Sequence, residues 1–178
     1  MKTTIRLKAV LFLVAACMFT SASFAQMTAT ATAPKKVLSP RDSVNGVVNG
    51  ATITINYGSP SVRGRQIWGK LVPYDSVWRT GANEATRFTT TKDITVEGKT
   101  LPAGTYGFFA IPGEKTWTII FNSVANQWGA FKYDASKDVL RVTVKPKTSI
   151  QHESLVYKIN GDGFELMWDQ LKVPVKTK

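Results

Sequence analysis

Side chains able to recognise or transform a small molecule gather in one stretch of this chain, Gly58 to Glu84, which reads GSPSVRGRQIWGKLVPYDSVWRTGANE. It carries Arg63, Arg65 and Arg79, Trp68 and Trp78, and Asp75, Asn83 and Glu84. A guanidinium presents a planar fork of donors that matches carboxylates and phosphates. Indole rings offer flat apolar walls, and concave sites combine such walls with a few directional polar groups. One chemistry open to the stretch is therefore a ligand pocket, with Trp68 or Trp78 as a stacking floor and Arg65, Arg79, Asn83 and Glu84 as hydrogen-bonding groups. Sugars and small anionic ligands both fit it. A second reading is structural: a turn at Gly81 brings Arg79 and Glu84 together as an ion pair that holds the loop, with Trp78 as its apolar plug. A third is catalytic, since Glu84 and Asp75 could hydrolyse a glycan if they faced each other across about 5 to 9.5 Å. A fourth uses the same tryptophan-rich surface as a protein interface.

Other chemistries lack their residues. His152 is the sole histidine, and no Gly-x-Ser-x-Gly elbow accompanies it, so a Ser-His-Asp hydrolase has no parts. Neither a zinc site nor an EF-hand-type calcium site can be assembled from local sequence. Asp134 and Asp138 with Asn126 amount at most to a casual surface site. Gly58, Gly64 and Gly69 stand outside the strand-turn-helix setting of a phosphate-binding loop, and no Gly-Lys-Ser/Thr follows them at that motif's spacing. No cofactor or metal is expected.

The elements that must position these residues begin after an export signal. Lys2, Arg6 and Lys8 form a basic start, Ala9 to Phe19 is apolar, and Ser23-Phe24-Ala25 offers a cleavage site after Ala25. The apolar run is too short to span a bilayer, which takes ~20 residues. Val14-Ala15-Ala16-Cys17 is a weaker rival, a lipidation site that would anchor the chain through Cys17. Cleavage after Ala25 removes this only cysteine, so an exported domain of about 150 residues holds itself together by packing. The full chain of 178 residues has a formal charge of +11. Its lysines are scattered as on a solvated surface, whereas four of the six arginines beyond the leader lie between Arg63 and Arg87. Export and the absence of any nucleic-acid-binding signature argue against nucleic acid.

Gln26 to Ser39 is small, polar and proline-bearing, and reads as a flexible tether. A single domain over residues 40–178 follows. Asn49-Gly50 separates two β-branched runs and predicts a hairpin. Strands are expected over Thr86 to Thr91, Ile94 to Val96 and Lys99 to Leu101, then over Tyr106 to Ile111, apolar on both faces and therefore central, and Thr116 to Phe121. Asn122 to Asp138 is a second irregular region holding Trp128, Phe131 and Tyr133, and it could lie beside the first. Leu140, Val142 and Val144 alternate inward. The end of the chain predicts a meander of Leu155 to Ile159, Phe164 to Trp168 and Leu171 to Val175.

The order YGSPSVRGRQIWGKLVPYDSVWRTGANEAT, then LPAGTYGFFAIPGEKTWTIIFN, YDASKDVLRVTV and WDQLKVPV, resembles the bacterial exported family catalogued as domain of unknown function 2911. The resemblance spans Ser39 to Val175. It implies a small exported β-rich domain and brings no catalytic residue or cofactor with it. The expected architecture is all-β, an antiparallel β-sandwich of jelly-roll type with the Gly58 to Glu84 loop closing one end or covering one face. The expected function is that of a non-enzymatic ligand-binding or envelope-associated module, periplasmic or extracellular, with glycan hydrolysis and protein interaction as its rivals.

Overall fold

Alternation of side chains along each strand decides which of its faces is hidden, and the computed structural model follows that alternation over residues 37–178, which are the ones it describes. The expected leader, Cys17 and most of the tether lie outside the described residues. β1 (Arg41–Val48) and β2 (Ala51–Gly58) form the expected hairpin, with Asn49 at φ 47° and Gly50 at φ 78°. Two consecutive positive φ angles are what a two-residue turn between twisted strands requires. β3 (Thr86–Thr90) follows the long loop, and β4 (Ile94–Val96) and β5 (Lys99–Leu101) make a small hairpin. β6 (Gly104–Ile111), β7 (Trp117–Asn122) and β8 (Asp138–Val144) complete an antiparallel sheet in the order β1-β2-β3-β6-β7-β8. β6 is central and apolar on both faces, as expected.

The second layer is a single long hairpin of β9 (Lys147–Asn160) and β10 (Gly163–Lys176). Its outer edges are extended by other segments. Ser61 bridges Ser154 of β9, and Val96 bridges Thr177 beyond β10, where Thr95 and Lys178 exchange backbone hydrogen bonds of 2.6 and 2.8 Å. Between the layers, Ile53, Ile55 and Tyr57 of β2, Phe88, Phe108, Phe121 and Val142 meet Leu155, Tyr157, Phe164, Leu166 and Val175 in one buried cluster. Aromatic rings dominate it: Phe88 and Phe164 lie 5.2 Å apart, Tyr57 and Tyr157 4.7 Å. The result is an antiparallel β-sandwich without α-helix among the described residues.

The C-terminal meander is corrected to two strands. Phe164, Leu166 and Trp168 occupy even positions and Val173 and Val175 odd ones, yet all five are buried in the same core. An uninterrupted period of two would send the second set to solvent. Register shifts on either side of Asp169, itself at φ 55°, reset the parity and keep one continuous strand. β9 likewise begins well before Leu155, because its first residues are exposed and polar and carry no inward alternation to read.

Candidate functional site

Backbone hydrogen bonds fix the irregular stretch to both layers. Val62 N–H donates to Glu153 O (2.7 Å) and Leu155 N–H to Pro60 O (2.9 Å), so its first residues run beside β9. Ile67 to Val72 closes on itself through Val72 N–H to Ile67 O (2.9 Å). Further on, Trp78 and Ala110 exchange bonds of 2.8 and 2.9 Å, which places the segment along β6 just past the point where Thr86 of β3 faces Phe108. Thr80 is fully buried: its Oγ1 donates to Phe108 O at 2.9 Å, and Tyr157 OH donates to Thr80 O at 2.8 Å. At Gly58 an added Cβ would stand 2.1 Å from Ala82 O, so only glycine lets the two backbones meet.

The tryptophans close the end of the sandwich. Trp68 from the loop meets Trp117 of β7 at 4.9 Å, and Trp78 and Trp168 at 5.8 Å each, edge-on in all three cases. Such edge-to-face contacts use the ring faces against one another. Trp78 is 8% and Trp168 1% exposed, and the Nε1 of Trp68 and of Trp168 are buried without a partner among the described residues. The cluster is thus a packed plug, and Trp78 and Trp168, but not Trp68, line the surface cavity beside it.

That cavity, about 350 Å³, is lined by Arg63, Arg65, Arg79 and Asn83 over Trp78 and Trp168, and no carboxylate lines it. Arg65 is oriented by its own loop, Nε donating to Val62 O (3.0 Å) and Nη2 to Ser61 O (2.5 Å). Arg63 reaches Leu38 O, and Asn83 Nδ2 donates to Ser39 O at 3.2 Å, which straps the start of the domain along the rim. Arg79 differs from both. Its Nε is buried without a hydrogen-bond partner among the described residues, and burial lowers its pKa below the usual arginine value.

The structure brings Arg65, Trp78, Arg79 and Asn83 to one cavity and takes Glu84 elsewhere. Glu84 is exposed and pairs with Arg41 at 3.5 Å, so no Arg79–Glu84 ion pair forms. It lines a separate groove of about 300 Å³ with Arg41, Arg87, Asn126 and Gln127. Burial lowers the Arg41 pKa, opposed by Glu84 and reinforced by the positive charge of Arg87. Asp75 sits at the far end of the segment, its N–H on Pro112 O (2.8 Å), while Thr86, two residues beyond Glu84, faces Phe108. Four residues of β6 separate these levels, about 13 Å of strand. Glu84 and Asp75 share neither the groove nor the arginine cavity.

The second irregular segment does lie beside the first. Glu84 bridges Trp128, Ala85 N–H donates to Gln127 O (2.9 Å) and Gly129 N–H to Asn83 O (3.1 Å). Its base is held by Asp138, which accepts from Tyr133 OH (2.6 Å), Arg141 Nε (2.6 Å) and Asn122 Nδ2 (2.8 Å). Sequence reasoning passed over Arg41, Trp128 and Trp168 as site residues. The available signal for Trp128 was a large aromatic in a segment with no strand period to bury it. For Arg41 and Trp168, which come from distant strands, there was none.

Comparison with known proteins gives a family and nothing finer. A family model described as "Protein of unknown function (DUF2911)" matches residues 39–177. No curated protein and no solved structure matches the chain.

Proposed function

Because the chain belongs to the DUF2911 family, described as of unknown function, its own geometry must supply a reading, and we propose an exported binding module for a small carboxylate- or phosphate-bearing ligand. The observation that carries this is the convergence of Arg63, Arg65 and Arg79 on one cavity whose lining holds no carboxylate. Like charges gathered without a counter-ion raise the local potential and favour an anion. Arginine is suited to this because its fork binds carboxylate or phosphate oxygens in pairs. The volume lies at the small end of the range for ligand pockets, so the ligand is a single small acid and not a long polymer. Asn83 adds a directional group. The basic, apolar and small-residue order of the first 25 residues supports the export half of the proposal.

The test is a thermal-shift screen of the mature domain against sugar acids, phosphosugars and their neutral counterparts, followed by calorimetric titration of any hit. Ligands that bind only the folded state raise its apparent stability. An acid that stabilises the wild type and fails with the Arg63→Ala/Arg65→Ala double variant supports the reading. Both side chains are exposed, so the double variant is expected to fold. Equal response to the neutral counterparts, or unchanged binding by the double variant, refutes it. Mass analysis of the exported protein tests the compartment, with Gln26 as the expected first residue and a lipid-modified Cys17 as the contrary result.

A further inference from the structure

Outside that cavity, the segment after β7 presents large apolar surface that the fold does not use. Trp128 is 61% and Phe131 85% exposed, and neither belongs to either hydrophobic cluster. The outer face of the sheet beneath them, Phe109 and Ile120, is already covered by Ala130 and Tyr133. Packing therefore gives no reason for these two rings, and exposed apolar patches rimmed by polar groups mark interaction sites. Their backbone is nevertheless fixed. The Trp128 bridge to Glu84 and the Gly129 bond to Asn83 tie the segment to the first loop, and Asp138 clamps its other end. The backbone that carries the indole is held in place before any ligand arrives, which lowers the cost of binding.

Two grooves meet at these residues. One of about 360 Å³ is lined by Trp128, Phe131, Val124 and Lys132, and the groove of Arg41, Glu84 and Arg87 adjoins it through the shared Asn126 and Gln127. Along their length the chemistry changes from aromatic wall to amides to cations. Gln127 is held in the wall by its Nε2, which donates to Val124 O at 3.0 Å, and Asn126 beside it is exposed. Arg87 touches only Asn126 Oδ1, at 3.3 Å, among the described side chains, and no carboxylate pairs with it. Glu84 is already engaged by Arg41, so the free charges, Arg87 and Lys132, are both positive.

We propose that this trough binds an acidic oligosaccharide, a uronic-acid-containing glycan in which one pyranose ring packs on Trp128 and a carboxylate of a neighbouring unit reaches Arg87. A flat rigid indole gives large contact area with few bonds to freeze. The exposed amide of Asn126 reads the ring hydroxyls between the two anchors. Two adjoining grooves of about 300 and 360 Å³ suit a chain of sugars, in contrast to the single arginine cavity, and they share no lining residue with it.

Calorimetric titration of the mature domain with an oligogalacturonate, with a neutral cello-oligosaccharide, and with phosphatidylglycerol–phosphatidylcholine vesicles tests the proposal. The oligogalacturonate is expected to bind, and more weakly as salt is raised because the Arg87 contact is exposed. Trp128→Ala is expected to weaken it by about tenfold or more, the loss typical of an aromatic anchor. Trp128→Phe should restore much of that loss, and Arg87→Ala should abolish the preference for the charged over the neutral chain. The Arg63→Ala/Arg65→Ala variant should bind the glycan as wild type does. No oligogalacturonate binding, indifference to Trp128→Ala, or loss in the Arg63/Arg65 variant instead would overturn the proposal. So would vesicle binding through Trp128 in place of saccharide binding, which would make the aromatic pair a membrane contact.

Discussion

Replacing Arg79 by methionine is expected to make the domain more stable while weakening anion binding at the proposed site. Methionine keeps the unbranched stem that packs beside Trp78 and removes a guanidinium whose Nε is buried with no partner. Leaving a buried donor unsatisfied costs about 1 to 3 kcal/mol. Arg79 is only partly buried, and its terminal nitrogens retain some hydration. The lower end applies, so a gain of about 1 kcal/mol is expected, or about 2 to 4 °C in melting temperature for a domain of this size. Urea denaturation followed by tryptophan fluorescence reads it as a higher midpoint at unchanged slope. Glu84→Gln is the control: its partner Arg41 stands 3.5 Å away on an exposed surface, so the change should be at most about 1 kcal/mol. Had Arg79 and Glu84 formed a buried pair, either substitution would cost about 3 to 5 kcal/mol. A fall in midpoint of that size for Arg79→Met would refute the reasoning, because it would mean that the guanidinium holds the loop together.

Three further outcomes follow from the same geometry. Gly58→Ala should destabilise by about 3 kcal/mol or prevent folding, since its Cβ would meet the Ala82 carbonyl at 2.1 Å and neither backbone has room to move; soluble yield and the urea midpoint report it. Asp138→Ala removes three bonds at the base of the second loop, one of them to a cation, and is expected to cost about 2 to 3 kcal/mol, with faster amide exchange confined to residues 122–138. Burial, then the bond to Asp42, pushes the Tyr57 phenol up to about 12 from an ordinary 10. A raised folded-state value gives stability that is complete below pH 10 and is lost as pH rises toward 12. The loss is on the order of 2 kcal/mol, seen as falling urea midpoints alongside a late rise in phenolate absorbance; stability that stays level across that window would contradict it.

How much of this was legible beforehand depends on the range of the interaction. Turn chemistry is local, so Asn49-Gly50 announced its hairpin, and both residues do adopt positive φ, as do Glu97 and Gly98 between β4 and β5. Side-chain alternation is local too: it identified the inward face of β8 and marked β6 as covered on both sides. The failure of any period between Gly58 and Glu84 marked the irregular stretch for what it is, and its arginines do line a cavity. What sequence could not supply was who faces whom. The partner of Glu84 is Arg41, 43 residues earlier, because β1 and the end of the loop meet only after the sheet has formed. Trp68 and Trp78 looked like stacking platforms, and two more tryptophans from β7 and β10 converted them into a plug. The tryptophan left open to solvent is instead Trp128. Burial is a property of the assembled layers, and no single segment's composition decides which of five tryptophans they cover.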